Sequence, residues 1–373
     1  MARVDAPQVE LTFRSPRFLR AAGAALLTTA LFAAWIGVSL GGAQVTLWMD
    51  DLVTPLAAGI GCALCLVAAR RHSGRMRTFW GLLCAAMACW TLAEVIWGVY
   101  ALILDQEVPV PSWADLGYLS AIPLAVAALV MHPATRGAGS RSLRSMLDAL
   151  AVATALLFLS WTLVLGPLWH SSDLTTLSGV VAVAYPFGDV VIAFFIVLAI
   201  NGMTRDDRLS LWCLLAGLMA MALSDSTYTY YTEVANYSSS SANPIDTGWV
   251  AGYLCIGLAA YSSGVGNVAR RVRAEGRSLA SLVAPLLPML IALSAAAVQI
   301  ELGETLDHAA VTMTLVLIVL VLMRQALLLR DLTTPGRGGA GPGAGLAPSR
   351  LEGALVTGGV ESSYERSSSR DRA

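Results

Sequence analysis

Ten runs of some 20 apolar residues, each long enough to cross about 30 Å of hydrocarbon, follow one another along most of this chain. Nothing else in the sequence constrains the fold as strongly. The runs predict an all-α, polytopic membrane helix bundle of about ten transmembrane helices, over 16–40, 47–69, 79–104, 112–131, 145–169, 177–200, 209–232, 245–262, 279–300 and 306–329. Composition agrees: charged residues make up 13% of the chain and mean hydropathy is +0.67, whereas soluble domains carry about 25% charge. The first partner implied is therefore the lipid bilayer. Short connections make successive helices antiparallel neighbours.

Orientation follows from arginine. All 24 basic residues are Arg. Arg70, Arg71, Arg75, Arg77, then Arg136, Arg141, Arg144, then Arg205, Arg208, then Arg270, Arg271, Arg273, Arg277 occupy the loops after runs two, four, six and eight. The alternate loops carry acids instead, among them Asp50, Asp51, Asp105, Glu107 and Asp173. The positive-inside rule then predicts a multi-pass cell-membrane protein with both termini cytoplasmic. The first run is too long for a signal-peptide core and reads as a retained span. Three regions follow: a cytoplasmic N-terminus over 1–15, the membrane domain over 16–332, and a tail over 333–373. The tail is rich in Gly, Pro, Ser and Arg and is expected to be disordered.

A pattern recurs inside the bundle. The run with Trp90, Glu94 and Trp97 leads into Trp113-Ala-Asp115-Leu-Gly-Tyr118, and the run with Asp225 and Tyr228 leads into Asp246-Thr-Gly-Trp249. Trp80 and Trp212 lie 132 residues apart, Asp115 and Asp246 131. The spacing predicts an internal repeat, about 79–131 and 211–262. Four helices separate the copies, so they share one orientation. That parity argues against five-helix inverted halves but leaves parallel-repeat transporters open.

Ionisable side chains in apolar helices are functional by default, because each costs about 2.5 kcal/mol or more at the bilayer centre. Glu94 shares a helical face with Trp90 and Trp97, Asp225 with Tyr228, and Asp189 with Tyr185, beside Pro186. Together with Asp115 and Asp246 they form the candidate ligand site, expected to be one cavity open to the outer face. Carboxylates beside aromatic faces suit a cationic or protonatable small ligand from outside or from the membrane; without one, the cavity would act as a proton sensor. The competing readings are interhelical hydrogen bonding for Glu94, Asp189 and Asp225, ordinary helix capping for Asp115 and Asp246, and interfacial belt aromatics for Trp113, Tyr118 and Trp249. Asp148 reads as a local ion pair with Arg144.

Other chemistry is not indicated. The six cysteines lie inside apolar runs, and Cys62-x-x-Cys65 lacks a second pair or a neighbouring His. The four histidines are scattered over both sides, and no phosphate-binding glycine loop, nucleophile elbow or zinc pattern is present. No metal, cofactor, nucleic-acid partner or enzymatic activity is expected.

Several motifs do resemble a known family. Trp113-Ala-Asp115-Leu-Gly-Tyr118-Leu, Leu147-Asp148-Ala with Trp161 and Pro167, Tyr185-Pro-Phe-Gly-Asp189, Asp246 with Trp249, and Arg324-Gln-Ala-Leu-Leu-Leu-Arg330-Asp331 are similar to the multi-span N-terminal sensory region of actinobacterial membrane-bound diguanylate cyclases. The likeness covers about 47–331. No Gly-Gly-Asp/Glu-Glu-Phe motif and no cyclase domain follows Asp331, so the family's catalysis does not carry over. The resemblance implies a membrane sensory module that has lost its output domain, or that works through a separate cytoplasmic output protein. A small-molecule or ion transporter is the alternative.

Overall fold

A computed structural model describes residues 15–135, 140–162, 166, 176–201, 208–234, 242–263, 286–301 and 307–333. The N-terminus over 1–14 and the tail from 334 onward lie outside them, as do most arginines of the later loops. The chain divides into Met1–Leu329 and Arg330–Ala373; only the last helical turn of the second unit, through Thr333, is described.

Every described regular element is helical. They are α1 Pro16–Val38, α2 Ala43–Arg71, α3 Gly74–Gly98, α4 Trp113–Met131, α5 Ser140–Ser160, α6 Leu177–Asn201, α7 Arg208–Val234, α8 Asp246–Ser262, α9 Leu286–Glu301 and α10 His308–Thr333. Seven of them are long and apolar enough to cross a membrane, which makes this a multi-pass membrane protein. The other three fall short of the ten expected spans: α8 has 17 residues, α9 has 16, and the apolar part of α5 is Ser145–Ser160.

Local chemistry sets the helix ends. Ser15 accepts the Phe18 amide at 3.2 Å and Pro16 opens α1, where its missing N–H is no loss. Gly41 and Gly42, both at φ +89°, turn the chain into α2. Ser112 and Asp115 form a reciprocal capping box on α4, and Asp307 caps α10 by accepting the Ala310 amide at 2.8 Å. A π-helical turn, Val99–Ile103, prolongs α3.

Six helices close a ring. α2 packs on α3, α3 on α4, α4 on α6, α6 on α7, α7 on α8, and α8 returns to α2. α1 leans on α8, and α5 and α9 stack outside α6. Leu26, Leu31, Leu315 and Leu322 are exposed on the exterior, as lipid-facing side chains are. The end of the ring carrying Arg70, Arg71, Arg75 and Arg77 is filled. There Phe79, Trp80, Leu83, Met87, Leu129, Leu211 and Leu214 are all at most 2% exposed. A second apolar cluster, with Ala151, Ala155, Phe158, Ala292, Ala296 and Leu317, joins α5, α9 and α10.

Small residues allow the close crossings that lipid-embedded helices rely on. A Cβ on Gly117 would lie 2.9 Å from Ala93 Cβ and 3.0 Å from the Cys89 carbonyl; one on Gly248 would lie 2.0 Å from Ser224 Oγ and 3.2 Å from the Ala220 carbonyl. Replacing Gly117 by Val is therefore expected to destabilise the bundle by about 1–3 kcal/mol through overpacking against backbone that cannot yield. Unfolding in detergent, followed by tryptophan fluorescence, measures it.

Two sequence readings are corrected. Asp50 and Asp51 are not loop acids: α2 begins at Ala43, placing them in its second and third turns, with Asp50 buried. Asp148, read as a purely local pair, meets Arg324 of α10, Nε to Oδ1 at 2.5 Å, and both are buried; the side chain of Arg144 lies outside the described ones. Residues 176 positions apart meet because α10 returns against α5, which no local spacing encodes. Cys62 and Cys65 are free thiols, as their packing reading anticipated; Cys62 Sγ lies 3.8 Å from Cys84 Sγ across the α2–α3 contact.

Candidate functional site

The ring encloses a cavity of about 670 Å³ at the end away from the packed arginine half. Its wall takes the first turns of α2, α4, α6 and α8 and the last turns of α3 and α7, so these helix termini share one end of the bundle. A volume of that size suits a small organic ligand. Ile122, Ile192, Ile196, Leu218 and Met221 form its apolar depth.

All nine candidate residues line this one cavity: Glu94, Asp189, Asp225, Trp90, Trp97, Tyr185, Tyr228, Asp115 and Asp246. Glu94 accepts the Tyr253 hydroxyl at 2.7 Å and interacts with the Tyr118 hydroxyl as well. Asp225 accepts Trp249 Nε1 at 2.7 Å. Asp115 does two jobs: it caps α4 by accepting the Ser112 amide at 2.6 Å and takes the Tyr185 hydroxyl at 2.5 Å. Asp246 accepts the Asn243 amide at 2.8 Å and meets the Asp50 carboxyl. Capping and cavity lining are thus compatible at both aspartates.

Asp51 and Asp189 differ from these. Each has a buried Oδ2 with no hydrogen-bond partner among the described residues, and both line the cavity. A buried carboxylate oxygen without a partner is costly to keep, and a cavity ligand is one way to satisfy it. Among the described residues seven carboxyl groups line the cavity and no Arg, Lys or His does, so its charged groups are acidic.

The aromatic rings complete the wall. Trp97 and Tyr228 stand edge to face with centroids 6.2 Å apart, Tyr228 and Trp249 lie at 5.9 Å, Trp90 and Tyr253 at 6.3 Å, and Tyr118 and Tyr185 at 6.4 Å. The competing belt reading does not hold for Tyr118 and Trp249, since both line the cavity. Trp113, read the same way, is 71% exposed and fits the belt. Sequence reasoning also missed Asp50, Asp51 and Tyr253 as cavity residues. The signal for Tyr118 and Trp249 was present, since they too are 131 residues apart.

That register recurs widely. Glu94 and Asp225, Asp115 and Asp246, Gly117 and Gly248, and the helix-interior prolines Pro55 and Pro186 are all pairs 131 residues apart. Gly117 crosses at Cys89 and Ala93, and Gly248 crosses at Ala220 and Ser224, again 131 apart. The tryptophan spacing of 132 is the exception and is misleading: Trp80 is fully buried, as is Leu211 at 131, whereas Trp212 is exposed.

Comparison with protein-family models, with curated proteins and with solved structures finds no match for this chain.

Proposed function

We propose that this chain is a non-enzymatic membrane sensory module, similar to the membrane region of diguanylate cyclases, that takes a small cationic ligand into the ring cavity. One observation carries the reading: an acidic, aromatic-walled cavity lies toward one end of the ring, and a packed apolar core fills the arginine-bearing end. A pocket with a floor favours recognition over passage. The route from ligand to output would run from α6, which bears Tyr185 and Asp189, through α5 to α10. α10 then carries a ligand-dependent shift toward a separate cytoplasmic partner.

The reading includes ten spans with both termini cytoplasmic. A reporter fused after Asp331 is then expected to be cytoplasmic and one inserted within 238–241 external; the reverse would refute the orientation. It also includes no catalysis. Nucleotide turnover by purified protein, abolished by a point substitution, would overturn that.

A parallel repeat supports a second reading, a transporter. Taking α2–α4 and α6–α8 as copies at 131-residue spacing, each contact of one copy has its counterpart in the other, with α5 as the connecting span. Trp97 and Tyr228 are themselves counterparts and touch, as residues on a two-fold axis would. Parallel repeats about an axis along the membrane normal, with the substrate between them, are a transporter architecture. Proteoliposomes separate the two. A sensor gives no flux of organic amines but a ligand-dependent change in distance between spin labels at Leu143 on α5 and Leu329 on α10, both exposed. Saturable uptake would favour the transporter.

A further inference from the structure

Four of the seven acids of the cavity fall into two poles, one in each half of the ring. In the first, Glu94 is held by the Tyr253 hydroxyl and has Asp246 and, more weakly, Asp51 within electrostatic reach. In the second, Asp225 is held by Trp249 Nε1 and interacts with Asp189. The poles are built alike. Each has one acid nine residues before the end of its helical run, at Ile103 and Val234, hence at the same depth of about 13 Å. Each acid is fixed by an aromatic donor. Each pole also holds one buried carboxylate oxygen with no hydrogen-bond partner among the described residues, on Asp51 and on Asp189. Asp115 and Asp246, by contrast, are engaged by backbone amides and belong to the frame.

A single ammonium group could answer only one pole. The other would keep an open carboxyl oxygen in the same low-dielectric space, where an unsatisfied polar group is costly. Tyr253 interacts with both Glu94 and Asp225, so the span between the poles is short. Rings beside the acids add attraction for cations. Resting on the cationic-ligand reading, we propose that the cavity binds a short linear diamine or polyamine, with one ammonium at the Glu94–Asp51 pole and a second at the Asp225–Asp189 pole.

The test compares 1,4-diaminobutane with butylamine, which share a carbon chain and differ by one ammonium, binding to the full-length protein in nanodiscs. Titration calorimetry of the unsubstituted protein is expected to give at least tenfold tighter binding of the diamine, a result that needs no variant to fold. In E94Q and in D225N the diamine is expected to lose its advantage, to within about twofold of butylamine. D105N, which alters an exposed acid outside the cavity, is expected to retain it. Equal binding of both amines by the unsubstituted protein would overturn the two-pole proposal while leaving a monocation site standing. No binding of either would overturn the cationic-ligand reading itself. A diamine preference that survives both substitutions would show that the poles are misassigned.

Discussion

Replacing Arg324 by Met, or Asp148 by Leu, is expected to destabilise the folded protein by about 3–5 kcal/mol, because each leaves one charge buried without its partner. Arg324 is 2% exposed and its Nε lies 2.5 Å from Asp148 Oδ1, so neither group can turn to water. The double replacement removes both charges and fills the space with apolar groups, and is expected to recover most of the loss. Unfolding of the four proteins in detergent, arranged as a double-mutant cycle, gives the coupling directly. Single variants within about 0.5 kcal/mol of the parent would mean that the pair is not sealed from solvent. The pair also matters for output. α10 is joined to α5 a second time, where Trp161 Nε1 donates to both Asp307 carboxylate oxygens at 3.1 and 2.9 Å. Asp148 and Trp161 lie 13 residues apart, about 20 Å along the helix direction, so α10 is pinned at two levels. Under the sensory reading, breaking the buried pair while the double variant stays folded is expected to uncouple α10 from the cavity without changing ligand affinity.

The second large effect is expected at Glu94. Leu in its place removes the acceptor of the Tyr253 hydroxyl and the partner of Tyr118, leaving two buried donors to find others. Each unpaired donor costs about 1–3 kcal/mol, so the loss is expected to reach several kcal/mol. Gln retains an acceptor at nearly the same volume and is expected to stay close to the parent in stability. Tyr253 lies in the ring between α2 and α7 and is 1% exposed. Combining Glu94→Leu with Tyr253→Phe is therefore expected to cost less than the sum of the two alone. Thermal unfolding in detergent measures this, and strict additivity would mean that the bond is not formed. The contrast between Leu and Gln separates the structural role of this carboxyl from its charge, which the amine titrations test.

Much of this protein is written locally. Apolar runs of membrane length identify the class, because hydrocarbon leaves the backbone no partner except its own helix. Residue spacing identified Glu94, Asp189 and Asp225 with their aromatic neighbours as candidates, since a carboxylate in such a run is costly enough to be informative wherever it stands. The 131-residue register was also legible, although tryptophan alone misplaced it by one; burial of Leu211 and exposure of Trp212 correct it.

Partners across the ring were not legible. That Glu94 meets Tyr253, that Tyr185 reaches Asp115, that Asp50 and Asp51 look into a cavity, and that Asp148 finds Arg324 all depend on which helix lies beside which. Helical periodicity says which residues share a face of one helix but not what that face meets. Helix neighbours in lipid are chosen by close packing of small residues such as Gly117 and Gly248, with no hydrophobic gradient to mark the buried side. The sequence by itself determined the helices, their membrane character and the acids within them; only the tertiary structure decided that the acids converge, because convergence is a property of the closed ring.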